Sequence, residues 1–170
     1  FSPEPLDLLE LSMQAADNAW ANARRKQVSV ELETDLDEAP FVGDRDLLSR
    51  ALANLLSNAL KFSPVGGCVT CRVAQRASHW TIAIQDEGPG IPTHLQSSLF
   101  QPFHRLHQES HPEVHGVGLG LLLVRTTMQR HGGTLEIASS EGAGCTFILV
   151  MPKPLSEPGT SPPGTTQQRP

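Results

Sequence analysis

The longest amphipathic stretch of the chain runs from Asp44 to Pro64. Apolar residues recur through it at intervals of three and four, as at Leu48, Leu52 and Leu55, which is the spacing of one buried helical face. Asp44 is a suitable N-cap, and Pro64 is a suitable stop. The pattern therefore predicts a central helix with one side in the core.

Two further helices are predicted on either side of this one. Residues 5–26 form the first, and its basic end, which includes Lys26, suits a helix C-terminus. Residues 119–131 form the second, which Gly132 and Gly133 would end. The residues expected to share the buried face of the first helix are Leu6, Leu9, Met13, Ala16 and Trp20.

Short alternating runs between the helices predict β-strands. These runs are residues 28–32, 41–42, 68–74, 80–85, 134–138 and 145–150. Strands grouped into hairpins with helices between them favour the α+β class. We expect a two-layer sandwich in which a mixed sheet of about five strands is covered on one face by three helices.

The domain organisation follows from the same pattern and from composition. Residues 1–26 are expected to be the N-terminal helix, and residues 27–153 the remainder of one folded domain. Residues 154–170 are rich in Pro, Gly, Ser, Thr and Gln, which predicts a disordered tail. Because the chain starts at Phe1, we expect it to be part of a longer protein.

Composition and charge exclude several function classes. Hydrophobic content of 38% with 18% charged residues fits a soluble globular protein, and no apolar run reaches membrane-spanning length. The formal charge of −5 argues against a broad nucleic-acid surface. Cys68, Cys71 and Cys145 are odd in number and suggest reduced thiols, so we expect a cytoplasmic location.

One edge of the central helix carries candidate chemistry. Asn54, Asn58 and Lys61 stand at i, i+4 and i+7 and therefore share a stripe beside the buried face. Amide oxygens suit Mg²⁺, and an ammonium group suits the phosphates that Mg²⁺ bridges. A solvated polar stripe would show the same spacing, so this pattern alone leaves both interpretations open.

A glycine-containing turn directly follows the strand predicted at residues 80–85. Asp86 begins it, and Gly88 and Gly90 allow a tight turn with close backbone approach to a ligand. A carboxylate at this position could accept a hydrogen bond from an exocyclic amine such as that of adenine. An ordinary Asp-Gly turn is the alternative.

The stretch from residue 101 to 120 is irregular and long for an internal loop, which favours a functional lid. The glycines of residues 116–121 open a helix, where backbone N–H groups attract phosphate. At the other end, residues 99–105 place two phenylalanines beside Arg105, which could reach a phosphate.

The loop histidines His104, His107, His111 and His115 lack a supporting ligand pattern, so a solvated loop is favoured over a metal site.

Together these stretches resemble the catalytic, ATP-binding domain of sensor histidine kinases in the GHKL superfamily. Residues 54–62 resemble the N box, 86–91 the G1 box, 100–103 the F box and 116–121 the G2 box. Residues 142–147 resemble the glycine-rich hairpin near the end of that domain. The resemblance implies the Bergerat fold, with ATP and Mg²⁺ bound under a flexible lid.

The resemblance also implies residue roles. Asp86 would contact the adenine amine, Asn58 would hold Mg²⁺, and Asn54, Lys61 and Arg105 would act at the phosphates as the catalytic candidates. Glu87 departs from the commonest pattern of the G1 box. The implied nucleotide-binding residues are Asn54, Asn58, Lys61, Phe62, Asp86, Gly88, Gly90, Ile91, Phe103, Arg105, Gly116, Val117, Gly118, Leu119, Gly120, Leu121 and Thr146.

The partners implied are those of a kinase domain separated from its substrate. None of the seven histidines is followed by Asp or Glu, so the phosphoacceptor histidine is expected on a dimerisation hairpin outside this chain. A downstream response regulator is implied as a further partner. For this domain itself, the resemblance implies neither a nucleic-acid partner nor direct membrane contact.

Three other functions compete with this interpretation. ATP-hydrolysing clamps of the same superfamily place a Glu where this chain has Asn54, and an amide cannot accept a proton from water. A degenerate domain kept for protein interaction would not need intact motifs. A serine kinase is a further alternative, which the F box and the long lid disfavour.

Overall fold

The strands and helices follow the hydrophobic pattern closely across residues 1–100 and 120–154, which the computed structural model describes. The α-helices are α1 (Leu8–Lys26), α2 (Arg45–Phe62), α3 (Thr93–Gln96) and α4 (Gly120–Arg130). A 3-10 turn covers Ser97–Phe100. The strands are β1 (Glu4–Asp7), β2 (Ser29–Thr34), β3 (Pro40–Gly43), β4 (Cys68–Arg76), β5 (His79–Asp86), β6 (Thr134–Ser139) and β7 (Cys145–Pro152).

The main sheet has five strands in the order β2-β4-β5-β7-β6. β2 runs parallel to β4, and each of the other neighbouring pairs is antiparallel. The parallel pair needs a long crossover, which α2 supplies between β2 and β4. This mixed sheet with its helices confirms the α+β fold class.

The core lies between the helices and one face of the sheet. Leu48, Leu52 and Leu55 of α2 are each 1% exposed, as their helical spacing predicted. The Asp44 side chain accepts a hydrogen bond from the Leu47 N–H at 3.1 Å and so caps α2. In the sheet, alternate residues such as Val69 point inward, so a single core joins the two layers.

The N-terminal helix differs from its prediction in start and in face. Residues 4–7 form β1, which pairs with β3 in a separate two-stranded sheet, and α1 begins only at Leu8. Met13 and Trp20, which were expected in the core, are 51% and 59% exposed. Leu6 and Leu9 are buried as predicted. The rest of the buried side of α1 carries several small residues and consists of Leu8, Leu11, Ser12 and Ala23, with Ala15 and Ala19 partly buried.

The remaining differences concern short elements and chain segments. The hydrophobic pattern does not predict α3 or the 3-10 turn after it, because neither is long enough to show periodicity. Residues 101–119 of the predicted lid and residues 155–170 of the predicted tail lie outside the described residues. Among the described helices, none is both long and apolar enough to cross a membrane.

Candidate functional site

The carboxylate of Asp86 lies at the end of β5 and is only 5% exposed. Its Oδ1 accepts hydrogen bonds from the Gly88 N–H at 2.9 Å and the Cys145 N–H at 3.2 Å. Burial raises the pKa of Asp86, while those two N–H groups act in the opposite direction. No residue in the described part of the chain donates to Oδ2, so this oxygen can accept a hydrogen bond from a ligand.

The turn after Asp86 packs backbone to backbone on the turn between β6 and β7. Gly90 has φ of +73°, and a Cβ there would collide with the Ser140 carbonyl oxygen. Gly144 has φ of +75°, and a Cβ there would collide with the Asp86 carbonyl oxygen. The N–H of Gly142 donates to the Pro89 carbonyl at 2.6 Å. Glycine is therefore needed for close approach as well as for positive φ.

The C-terminal end of α2 borders the same turn. A Cβ on Gly88 would lie 2.8 Å from the Phe62 carbonyl oxygen, so the two segments are in contact. The Glu87 carboxylate accepts a hydrogen bond from the Cys68 N–H at 2.9 Å. Glu87 thus ties the turn to the start of β4, which gives this departure from the common motif a structural role that sequence reasoning missed.

Asn54, at one end of the amide stripe of α2, lies against the start of α4. Asn54 Nδ2 donates to the Arg50 carbonyl at 3.0 Å, and its Oδ1 lies 3.1 Å from where a Cβ on Gly120 would be. Asn58 and Lys61 continue the stripe and are half-buried. The fold therefore brings the N box and the last glycine of the G2 box into contact.

Lys61 also lies close to basic residues of α1. The pKa of Lys26 is lowered, first by partial burial and then by the nearby Lys61 and Arg25. The ends of α1 and α2 thus concentrate positive charge near one end of the stripe. The basic last turn of α1 is visible in the sequence. It was interpreted there only as the end of a helix, and its position near Lys61 was not predicted.

The sheet register places Thr146 on the opposite face of β7 from the Asp86 neighbourhood. Thr146 pairs with Gln85, so these two side chains share the outer face, and its predicted nucleotide contact stays a prediction. Cys145 pairs with Asp86 and is buried beside it. Burial, with Asp86 as a smaller cause, raises the pKa of the Cys145 thiol to about 12. Cys145 was missed because the motif does not fix which residue of the hairpin faces inward.

The other predicted site residues divide between described and undescribed segments. Ile91 is buried after the turn, and Leu121 is half-buried in the first turn of α4. The predicted residues outside the described part of the chain are Phe103, Arg105, Gly116, Val117, Gly118 and Leu119, together with the four loop histidines His104, His107, His111 and His115.

The donor set limits the metal that the site could hold. Among the described residues, no group of three or more His, Cys, Asp or Glu side chains could hold a metal ion. The amide oxygens of Asn54 and Asn58 are hard ligands of the kind that Mg²⁺ accepts while it keeps several waters and binds phosphate. The described residues therefore fit Mg²⁺ bound together with a phosphate-bearing ligand better than a metal bound by protein alone.

Residues 43–155 match a family described as histidine kinase-, DNA gyrase B- and HSP90-like ATPases. The match includes α2, the Asp86 turn and the β6–β7 hairpin. The chain belongs to this family. Within it, its homologues are sensor histidine kinases, and its structural neighbours are histidine kinase catalytic domains, which confirms the resemblance drawn from the four boxes.

Two curated relatives illustrate the similarity. The sensor histidine kinase TmoS of Ectopseudomonas mendocina is 34% identical over 147 residues, which cover 86% of this chain and 15% of the relative. The circadian input-output histidine kinase CikA of Thermosynechococcus vestitus is 41% identical over 123 residues, which cover 72% of this chain and 17% of the relative. The chain thus spans less than a fifth of the length of either kinase.

Two solved structures show the same fold over almost their whole length. The catalytic domain of histidine kinase ThkA superposes with a TM-score of 0.78 at 25% identity, covering 90% of this chain and 99% of that one. The mycobacterial sensor histidine kinase MprB superposes with a TM-score of 0.76 at 30% identity, covering 89% and 98%. The chain therefore has the fold of a histidine kinase catalytic domain.

Proposed function

We propose that this histidine kinase catalytic domain binds ATP with Mg²⁺ and transfers the γ-phosphoryl group to a histidine on a helical hairpin of the parent protein. The observation that carries the proposal is the Asp86 carboxylate. One of its oxygens is held by two backbone N–H groups, and the other has no donor among the described residues. A buried acceptor of this kind suits the amine of adenine and opposes the carbonyl that guanine has there.

The residues of α2 would act at the phosphate end of the same nucleotide. Asn58 would ligate Mg²⁺, which when bound neutralises phosphate charge. Asn54 and Lys61 would orient the phosphates, and Lys26 adds positive charge near Lys61. Arg105 and residues 116–121 are proposed to contact the phosphates as well, on the strength of the motif alone.

Transfer to a histidine is favoured over hydrolysis by the chemistry of position 54. Hydrolysis needs a base to take a proton from water, and a positioned base contributes about 10²–10⁴-fold. Asn54 is an amide whose nitrogen donates to the Arg50 carbonyl, so it cannot serve as that base. A neutral imidazole needs no such base, because its own nitrogen lone pair attacks phosphorus as the bond to ADP breaks.

Nucleotide binding is the first test of the proposal. Calorimetry and thermal unfolding with ATP, ADP and GTP, with and without Mg²⁺, should show one site that prefers adenine. ATP at a hundredfold above Kd should stabilise the fold by about 2.7 kcal/mol. Equal responses to ATP and GTP, or a response to neither, would contradict the assignment.

Phosphotransfer is the second test. Radiolabelled ATP is mixed with the domain, with and without the parent hairpin, and the acid lability of the labelled product is measured. We expect slow hydrolysis by the domain alone and an acid-labile product on the hairpin, which a response regulator would then accept. Asn58→Ala should abolish transfer, and Arg105→Ala should slow transfer more than it weakens ADP binding. An acid-stable product would indicate a serine kinase instead.

A further inference from the structure

Two side chains outside all four boxes hold the turn that follows Asp86. Ser139, the last residue of β6, accepts a hydrogen bond from the Ile91 N–H at 2.8 Å through Oγ. The same hydroxyl donates to the Gly144 carbonyl at 2.8 Å. Since a hydroxyl has one proton to donate, its donor capacity is fully used.

Gln96, at the end of α3, is the second side chain that holds Ile91. Its Nε2 donates to the Ile91 carbonyl and to the Ser139 carbonyl, each at 3.1 Å. Both hydrogens of the amide are therefore used, and both backbone polar groups of Ile91 are held by side chains. Ile91 itself is buried. Shortening Ser139 would therefore leave the Ile91 N–H without this partner, and shortening Gln96 would do the same to the Ile91 carbonyl.

Both ends of the turn are thus attached to the β6–β7 hairpin, and Gln96 of α3 supports the downstream end. At the upstream end, the Cys145 N–H holds Asp86 Oδ1. At the downstream end, Ser139 and Gln96 hold Ile91. A shift of the downstream end would move the turn relative to Gly144, which contacts the Asp86 backbone. The direction in which Asp86 presents Oδ2 therefore depends on both attachments.

We infer that Ser139 and Gln96 are positioning residues that set the base preference of the nucleotide site. Neither side chain needs to touch the ligand. They act by holding Ile91, and through the turn they hold the acceptor of Asp86 in the orientation that an adenine amine requires. This inference rests on the proposed ATP-binding function and adds to it two residues that the sequence motifs do not contain.

The test compares matched pairs of variants. Ser139→Ala removes the hydroxyl, and Ser140→Ala makes the same change at the next, exposed position. Gln96→Met removes both donors at nearly constant length, and Gln129→Met makes that change on the exposed side of α4. Ser139→Thr keeps the hydroxyl and serves as the rescue variant.

The measurement is the Kd for ATP and for GTP by calorimetry, together with the binding stoichiometry and melting temperature. We expect Ser139→Ala and Gln96→Met to weaken ATP binding about tenfold, the effect of one or two hydrogen bonds. Because the loss falls on base recognition, the ratio of the GTP Kd to the ATP Kd should drop. Ser140→Ala, Gln129→Met and Ser139→Thr should retain the wild-type ratio.

The outcomes separate this inference from the function on which it rests. A purely structural role would lower the melting temperature and the fraction of competent protein while leaving the Kd ratio unchanged, and that result would overturn the inference alone. A wild-type chain that binds neither nucleotide would overturn the proposed function together with this role for Ser139 and Gln96.

Discussion

The base end and the phosphate end of the candidate site are built in different ways. At the base end, Asp86 is buried and held by backbone N–H groups, and glycines allow two turns to pack directly on each other. At the phosphate end, Asn54, Asn58 and Lys61 are half-buried side chains on one helix edge. The base end therefore depends on tertiary contacts, whereas the phosphate end depends on helical spacing.

This difference predicts how the two ends respond to change. Substitutions at the base end should alter stability and binding together, because the recognition group is part of the packed structure. Substitutions on the α2 stripe should alter binding and leave stability nearly unchanged, because α2 is held in place by its opposite face.

The largest effect is expected from Gly144→Ala. Its Cβ would meet the Asp86 carbonyl in addition to the strain of a positive φ, so we expect a loss of about 3 kcal/mol or more in the free energy of unfolding. Gly142→Ala is the control, because φ is +79° there and nothing lies within 4 Å of the new Cβ. The control should lose only about 1 kcal/mol. Similar losses in urea denaturation would show that the two turns do not press together.

Asp86→Asn should give the next largest effect, on binding. Asn can keep an oxygen toward the Gly88 and Cys145 N–H groups, which leaves an NH₂ group facing the adenine amine. We expect ATP affinity to fall about 100-fold, as for loss of a hydrogen bond to a charged group. Calorimetry should show no such loss for Asp17→Asn on the exposed side of α1. A change in the ATP Kd below about threefold for Asp86→Asn would mean that the carboxylate does not hydrogen-bond to the base.

Asn58→Ala should weaken ATP binding by about tenfold when Mg²⁺ is present, as for loss of one metal ligand worth about 1.4 kcal/mol. Binding without Mg²⁺ should hardly change. The matched control is Asn18→Ala, which removes the same amide from the exposed side of α1. Titrations at several Mg²⁺ concentrations distinguish the two variants. An equal loss with and without Mg²⁺ would assign Asn58 to direct phosphate contact instead.

The smallest effect is the pH dependence of stability due to Asp86. Its pKa in the folded chain is raised above the ordinary value of 3.8, so its ionised form costs stability at neutral pH. This cost disappears as pH falls through the raised pKa toward 3.8. Chemical denaturation should therefore show Asp86→Asn gaining stability over the wild type at neutral pH, with the gain shrinking in acid. A gain that does not vary with pH would assign it to packing rather than to charge.

The N-terminal helix shows that a regular apolar pattern does not by itself identify the buried face of a helix. The pattern through Met13 and Trp20 is as regular as the pattern that is buried, yet both residues are exposed and Trp20 lies 5.3 Å from the guanidinium carbon of Arg24. The buried side carries Ala15, Ala19 and Ala23, which let α1 lie close to its neighbours. Periodicity identifies a helix, but the surfaces it packs against select the face.

The sequence by itself determined the fold class, the four motifs and the shared edge of Asn54, Asn58 and Lys61. These features depend on local spacing, and a helix places residues three and four apart on one side in any surroundings. The four motifs, in their order along the chain, are also specific enough to indicate the family without the tertiary contacts.

Only the tertiary structure decided which side chains surround Asp86. Strand register placed Cys145 beside it and turned Thr146 to the other face, because neighbouring residues of a strand point in opposite directions. Ser139 contacts Ile91 across 48 residues of sequence, and Gln96 contacts Ser139 across 43, so no local pattern could reveal how the three are joined. The base end of the site is therefore a product of chain packing, and of its parts the sequence pattern identified Asp86 and the glycines that permit the close packing.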